Sequence, residues 1–398
     1  LVHYEDTSTQ MVALNIVYDV GARDEHPEHT GFAHLFEHLM FGGSAHIPDY
    51  DTPLQLAGGE NNAWTNNDIT NYYLTVPKPN VETAFWLESD RMLELAFSEQ
   101  SLEVQRGVVM EEFKQRCLNQ PYGDVGHLFR PLAFRVHPYR WPTIGKELSH
   151  IEQATLDEVK SFFYRFYAPN NAVLAVTGNI SWDETVKLTE KWFAPIPRRD
   201  VPVRQLPQEP EQTQERRLTV ERNVPLDALF MGYHMCSREG ADYYAFDILS
   251  DILSNGRSSR LNRRLVQEQN IFSGIDAYIS GTRDAGLLQI SGKPAAGVSL
   301  EQAEAAVRKE LEELQRSPVD GQELEKVKNK FESTQIFGNI NYLNVATNLA
   351  WFELTGKAED IDLEVERYRS VTTEQLHTVA QRTFCESNAV VLYYKSDK

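Results

Sequence analysis

The chain has 398 residues, 41% of them hydrophobic and 24% charged, a length that implies two or more domains at roughly 100–200 residues each and a composition that excludes a disordered or fibrous protein. Its 58 acidic side chains against 39 basic ones leave a net charge of −19, which argues against a nucleic-acid or anionic-membrane partner and fits a neutral or cationic substrate. No apolar run approaches the roughly 18 residues of a membrane-spanning helix, and three distant cysteines, Cys117, Cys236 and Cys385, exclude a disulfide scaffold and a thiolate zinc finger.

From the N-terminus, residues 1–4 read as a strand. Alternating apolar residues predict further strands over 12–20 and 70–76. Apolar residues at helical spacing predict helices over 30–40, 81–95, 101–117 and 155–166. Five prolines between Pro195 and Pro210 cannot sit in a helix interior or a central strand, so 195–216 reads as a linker between domains 1–194 and 217–398. The two halves also resemble each other. Residues 155–176 lie over 372–393 in constant register, pairing Arg165 with Arg382 and Asn171-Ala172-Val173 with Asn388-Ala389-Val390. Each copy is an amphipathic helix leading into an apolar strand, as a duplicated domain requires. Upstream, Phe32 to His38 can be laid over Phe246 to Ile252, so isoleucines fall where the first copy has histidines and the chemistry belongs to the first half. The fold class expected is α+β: two homologous domains, each a mostly antiparallel sheet covered by helices.

The sharpest local signal is His34-Leu35-Phe36-Glu37-His38 within a helical pattern. Residues four apart share a helix face, so both imidazoles reach one cation while Glu37 reaches a water beside it. Zinc fits, because its catalytic sites take three N/O ligands and keep one position for water. The third ligand is expected from the helix carrying Glu111-Glu112, where a carboxylate among valines and Phe113 needs a partner such as a metal. Adjacent helical residues point about 100° apart, so one of the two ligates, and geometry alone leaves the choice open. His137-Pro138-Tyr139 reads as a structural turn and Tyr72-Tyr73 as cross-strand packing.

These segments, with GGENNAWTNNDITNYY, QRGVVMEEFKQ, HPYRWPTIG and FYAPNNAVLAVTGN, resemble the pitrilysin/insulinase family of inverted-motif zinc peptidases, and the two-domain build resembles its mitochondrial-processing-peptidase branch. The resemblance implies Zn2+ held by His34, His38 and Glu112, with Glu37 as general base. It places Asn62 and Ala63 on an exposed edge strand to which a peptide substrate adds. A supporting carboxylate of the family falls on Gln105, so that interaction is altered here. The arginine and tyrosine that active members carry in the second half fall on Val266 and Ser273. The expectation is therefore a zinc endopeptidase acting on extended peptides or partly unfolded segments and working as a dimer, with a homologous partner chain supplying the missing pair. The alternative is a non-catalytic peptide-binding or structural subunit. Cysteine usage favours a cytoplasmic setting, and a removed leader would make it periplasmic.

Overall fold

A computed structural model describes residues 1–397, so that Lys398, the last residue of the expected second domain, lies outside the described residues. The chain forms two compact units, each around a five-stranded sheet. The first sheet contains β1 (Val2–Glu5), β2 (Met11–Tyr18), β3 (Glu60–Thr65), β4 (Thr70–Pro77) and β5 (Ala172–Gly178), in the order β1-β5-β2-β4-β3. The second contains β6 (Arg216–Arg222), β7 (Ala228–His234), β8 (Phe272–Ile279), β9 (Leu287–Pro294) and β10 (Ala389–Ser396), in the order β6-β10-β7-β9-β8. In each, only the pair at one edge, β1 with β5 and β6 with β10, is parallel. The matching orders are what the internal repeat predicts. Among the helices covering the sheets are α1 (Phe32–Leu39), α2 (Val81–Leu93), α3 (Glu99–Phe113), α4 (Val125–Ala133), α5 (Leu156–Phe166), α6 (Tyr243–Ser254), α7 (Tyr342–Thr355) and α8 (Thr373–Thr383).

Strand β2 shows why the first sheet is covered on both faces. Successive side chains alternate: Val12, Leu14, Ile16 and Tyr18 enter the main core with Phe32, Leu35 and Phe36 of α1 and Phe162 and Phe163 of α5. Ala13 and Val17 enter a second, thinner core with Val173, Ala175 and Ala346 and Ala350 of α7. Alanines on both sides allow close approach, and Thr177 Oγ1 donates to Tyr342 O at 2.6 Å across it. Helix α7 therefore roofs the outer face of the first sheet although it follows the second sheet's β9 in sequence.

The units are for this reason not the contiguous halves suggested by sequence. The first comprises Leu1–Asn119, His137–Pro207 and Ile336–Leu363; the second comprises Gln120–Val136, Gln208–Gln335 and Glu364–Lys398. In the second unit the incoming segment is α4, whose Phe129 packs over Gly232 of β7 so tightly that a Cβ there would lie 2.8 Å from the ring. The exchange follows from packing: each sheet has an apolar outer face, and each covering helix is contributed by the other half of the sequence. The proline-rich stretch begins on the first unit, where Arg199 donates to Leu93 O at 2.7 Å and Arg204 pairs with Asp19 at 2.7 Å. All three cysteines are free thiols, and no helix among the described residues is long and apolar enough to cross a membrane.

Candidate metal centre

Helix α1 is short, and its start is held from outside. Gly31 precedes it with φ +89°, a left-handed conformation, and a Cβ there would lie 2.8 Å from Ile151 Cδ1 and 2.9 Å from Ile144 O. The buried carboxylate of Glu25 accepts from Gly31 N and Ala33 N, both at 2.9 Å, and from the indole of the buried Trp141 at 3.1 Å. Burial pushes this carboxyl up to about 8, and the two backbone N–H donors oppose that rise. Two of the four amide groups left open at a helix start are satisfied in this way. The HPYRW segment thus buttresses the helix: His137 caps the turn by accepting from Tyr139 N at 3.2 Å, and Trp141 reaches Glu25.

With Phe32, Leu35, Phe36 and Leu39 committed to the core, the opposite side of α1 presents His34, Glu37 and His38. The two imidazoles stand edge to face, with centroids 5.0 Å apart. Glu112 of α3 turns its Oε2 toward both, 3.4 Å from His34 Nε2 and 3.2 Å from His38 Nε2. Bonds of about 2.0–2.1 Å to a tetrahedral ion imply ligand atoms roughly 3.3 Å apart, so this donor set and its spacing fit zinc. Glu111 faces away: 58% exposed, it lies 4.0 Å from Lys114 and accepts from Gln115 at 3.3 Å. Of the two adjacent glutamates, only Glu112 is turned to the histidines.

The electrostatics suit metal binding. Burial is the main influence on His34 and lowers its pKa to about 4, against the pull of Glu112. The imidazole is neutral near pH 7, the form that ligates. Glu112 is held below the usual glutamate range, chiefly by its hydrogen bond with His38. Burial raises Glu37, while neighbouring Thr65 of β3 and His38 lower it. A carboxyl raised by burial is a stronger base than a free one, as proton abstraction from water requires.

Strand β3 runs past this centre at the edge of its sheet, paired only with β4. Ala63 sits opposite Tyr72, and its N–H donates to Asn62 Oδ1 at 2.8 Å. In the second unit, Ile248 and Ile252 of α6 are core residues, so the helix matching α1 carries no ligand at those positions. Sequence reasoning missed three contributors. Glu25, six residues before Gly31, is one of three acids between Asp24 and Glu28 with nothing local to single it out; Trp141 is distant in sequence; Arg116, 2.9 Å from Glu112 Oε1, was signalled only by its i, i+4 spacing from a glutamate.

Comparison with known proteins places these features in a wider group. Residues 1–124 match the family described as Insulinase (Peptidase family M16), and residues 153–331 match the one described as Peptidase M16 inactive domain. The chain is 26% identical to the zinc protease PqqE of Helicobacter pylori over 98% of its own length and 89% of that protein. It is 24% identical to the uncharacterized zinc protease YmxG of Bacillus subtilis, over 97% and 93%. A crystal structure of a protease from Helicobacter pylori superposes with a TM-score of 0.91 at 26% identity, covering 97% of this chain and 95% of that one. A peptidase M16 inactive domain from Pseudomonas fluorescens has the same fold, with a TM-score of 0.89 at 17% identity, covering 100% and 95%.

Proposed function

We propose, from the premise that the chain belongs to the pitrilysin/insulinase family, that it is a zinc-dependent endopeptidase acting on extended peptides or partly unfolded segments. The observation that carries this reading is the approach of Glu112 Oε2 to both imidazoles, with Glu37 on the same helix between them. His34, His38 and Glu112 would hold the ion. Zinc, when bound, supplies Lewis acidity and makes a nearby water easier to deprotonate. Glu37 accepts the proton of the attacking water and passes it to the leaving amine. The inactive-domain match begins at residue 153, beyond every residue of this centre. A mixed peptide library incubated with and without chelator tests the reading: cleavage that stops with chelator and returns with zinc is expected, and no cleavage in any condition, including with a homologous partner, would favour a non-catalytic subunit.

Asn62 and Ala63 are the proposed substrate contacts, because the edge of β3 can accept an added strand. The Ala63 N–H donates to the exposed side chain of Asn62, a bond a substrate carbonyl would replace, so proline at 63 removes a main-chain donor from the proposed contact. Ala63→Pro is expected to lower kcat/KM about tenfold, the value of one or two main-chain hydrogen bonds, at unchanged zinc content. Cleavage of folded proteins as fast as of their peptides would contradict the added-strand contact.

The chain is further proposed to take part of its substrate grip from a homologous partner. Val266 and Ser273 stand where the family's arginine and tyrosine are expected, and two nearby arginines are engaged elsewhere: Arg260 with Glu323 at 2.7 Å, and Arg264 with Glu310 at 2.6 Å and with Glu313. Purified alone, the protein is expected to bind zinc and cleave peptides poorly, with activity rising when a chain carrying that pair is added. Full activity of the isolated chain would refute the requirement.

A further inference from the structure

Beyond Glu112, α3 passes into a π-helical turn, Lys114–Leu118, that contains Arg116. Such turns, which re-aim side chains at the expense of regular hydrogen bonding, recur at functional sites. Arg116 Nη2 lies 2.9 Å from Glu112 Oε1, the carboxylate oxygen other than the one turned to the histidines. The side chain is 69% exposed, and Glu112 is its ion-pair partner among the described residues. A guanidinium has five N–H donors in a planar fork, so most of this fork faces solvent beside the centre. Its charge is also close enough to act on His34 and Glu37. The other cations of this stretch are directed elsewhere: Arg106 to Glu103 and Ala154 O, and Lys114 to Glu111.

Peptide hydrolysis makes negative charge beside the centre that Arg116 borders through Glu112. As the water oxygen bonds to the carbonyl carbon, Glu37 takes the water proton and the carbonyl π pair moves onto oxygen. When the C–N bond then breaks, that pair returns to the carbonyl and the proton goes to nitrogen. The oxygen that becomes negative does so next to Glu37 and Glu112, in a chain of net charge −19, where a preorganised cation has most to offset.

We propose that Arg116 is a catalytic residue whose outward N–H donors bind the oxyanion formed when the scissile carbonyl is attacked. The assignment rests on the peptidase reading above and deepens it. The pair expected from the partner would hold substrate backbone and help stabilise the same oxyanion, and Arg116 would add charge at the reacting oxygen from within the first unit. The competing role, orienting Glu112 alone, predicts a different pattern of losses.

The test is calorimetric titration of the zinc-loaded full chain with two peptides of one sequence: a phosphonate, tetrahedral and anionic at the scissile position, and an uncleaved planar analogue made with a D-residue there. Arg116→Gln is expected to weaken the phosphonate about 10²–10³-fold, the usual effect of removing one oxyanion donor. The planar peptide should bind within about threefold of wild type and zinc content should be unchanged, as expected for hydrogen bonds that form only in the transition state. Arg116→Lys should fall between, since an ammonium keeps the charge and loses the fork. Equal phosphonate binding by wild type and Arg116→Gln overturns the proposal while leaving the peptidase reading intact. Parallel weakening of both peptides with loss of zinc overturns it in favour of Glu112 orientation. A wild-type chain that does not hold zinc overturns the peptidase reading, and this assignment with it.

Discussion

Replacing Glu37 with glutamine is expected to leave one zinc per chain in place and to lower kcat by about 10²–10⁴-fold, the usual contribution of a positioned general base. The amide keeps the size and shape of the carboxylate, so α1 and its packing are undisturbed, and the group lost is the one that can take a proton. Glu37 also stands one residue from His38 without joining the histidine and Glu112 cluster. Zinc analysis beside kcat on a quenched fluorescent peptide separates the two effects. Near-normal turnover by a zinc-loaded Glu37→Gln protein would remove Glu37 from the role of base.

His34→Ala is expected to act one step earlier, abolishing stoichiometric zinc and with it all measurable turnover. His34 is the most buried of the three donors, 7% exposed, and without it only His38 and Glu112 remain. Because a ligand that binds only the native state stabilises it, by about 4 kcal/mol at a free concentration 1,000 times Kd, chelator should lower the melting temperature of the wild type and leave that of His34→Ala unmoved. Glu111→Gln serves as the control. Its side chain points to solvent, so zinc content should match wild type, and loss of zinc there with retention in Glu112→Gln would reverse the choice between them.

What could be read in the sequence divides along physical lines. Helix α1 and strand β4 are visible from apolar periods of 3.6 and 2, and strand β2 from an apolar run broken only at Asn15: the expected 30–40, 70–76 and 12–20 correspond to Phe32–Leu39, Thr70–Pro77 and Met11–Tyr18. The expected helix over 101–117 is found as Glu99–Phe113 followed by a π-helical turn, a change of hydrogen-bond pattern that leaves no compositional trace. The repeat between residues 155–176 and 372–393 recurs as α5–β5 and α8–β10. The histidines could be found because their ligand spacing is local. Glu25 and Trp141 could not, because the bond between them joins segments more than a hundred residues apart. Helix α7 was illegible for a similar reason: its small residues Ala346 and Ala350 carry no strong pattern, and their partners Ala13 and Ala175 lie in the other half of the chain.

The roof that α7 puts on the first sheet sets a timetable for biosynthesis. At about 5–20 residues per second, on the order of ten seconds or more separates emergence of β5 from emergence of residues 342–355. Throughout that interval Ala13, Val17, Ile69, Val173 and Ala175 have no cover. The nascent first unit is therefore expected to be sticky and protease-sensitive until α7 emerges, since contacts between residues this far apart in the chain are slow to close. Severing the gene at the proline-rich stretch would yield two polypeptides that each lack a roof. Co-produced, they could reassemble by trading α4 for α7, so the apparent domain boundary is a place where the protein can be split but not halved.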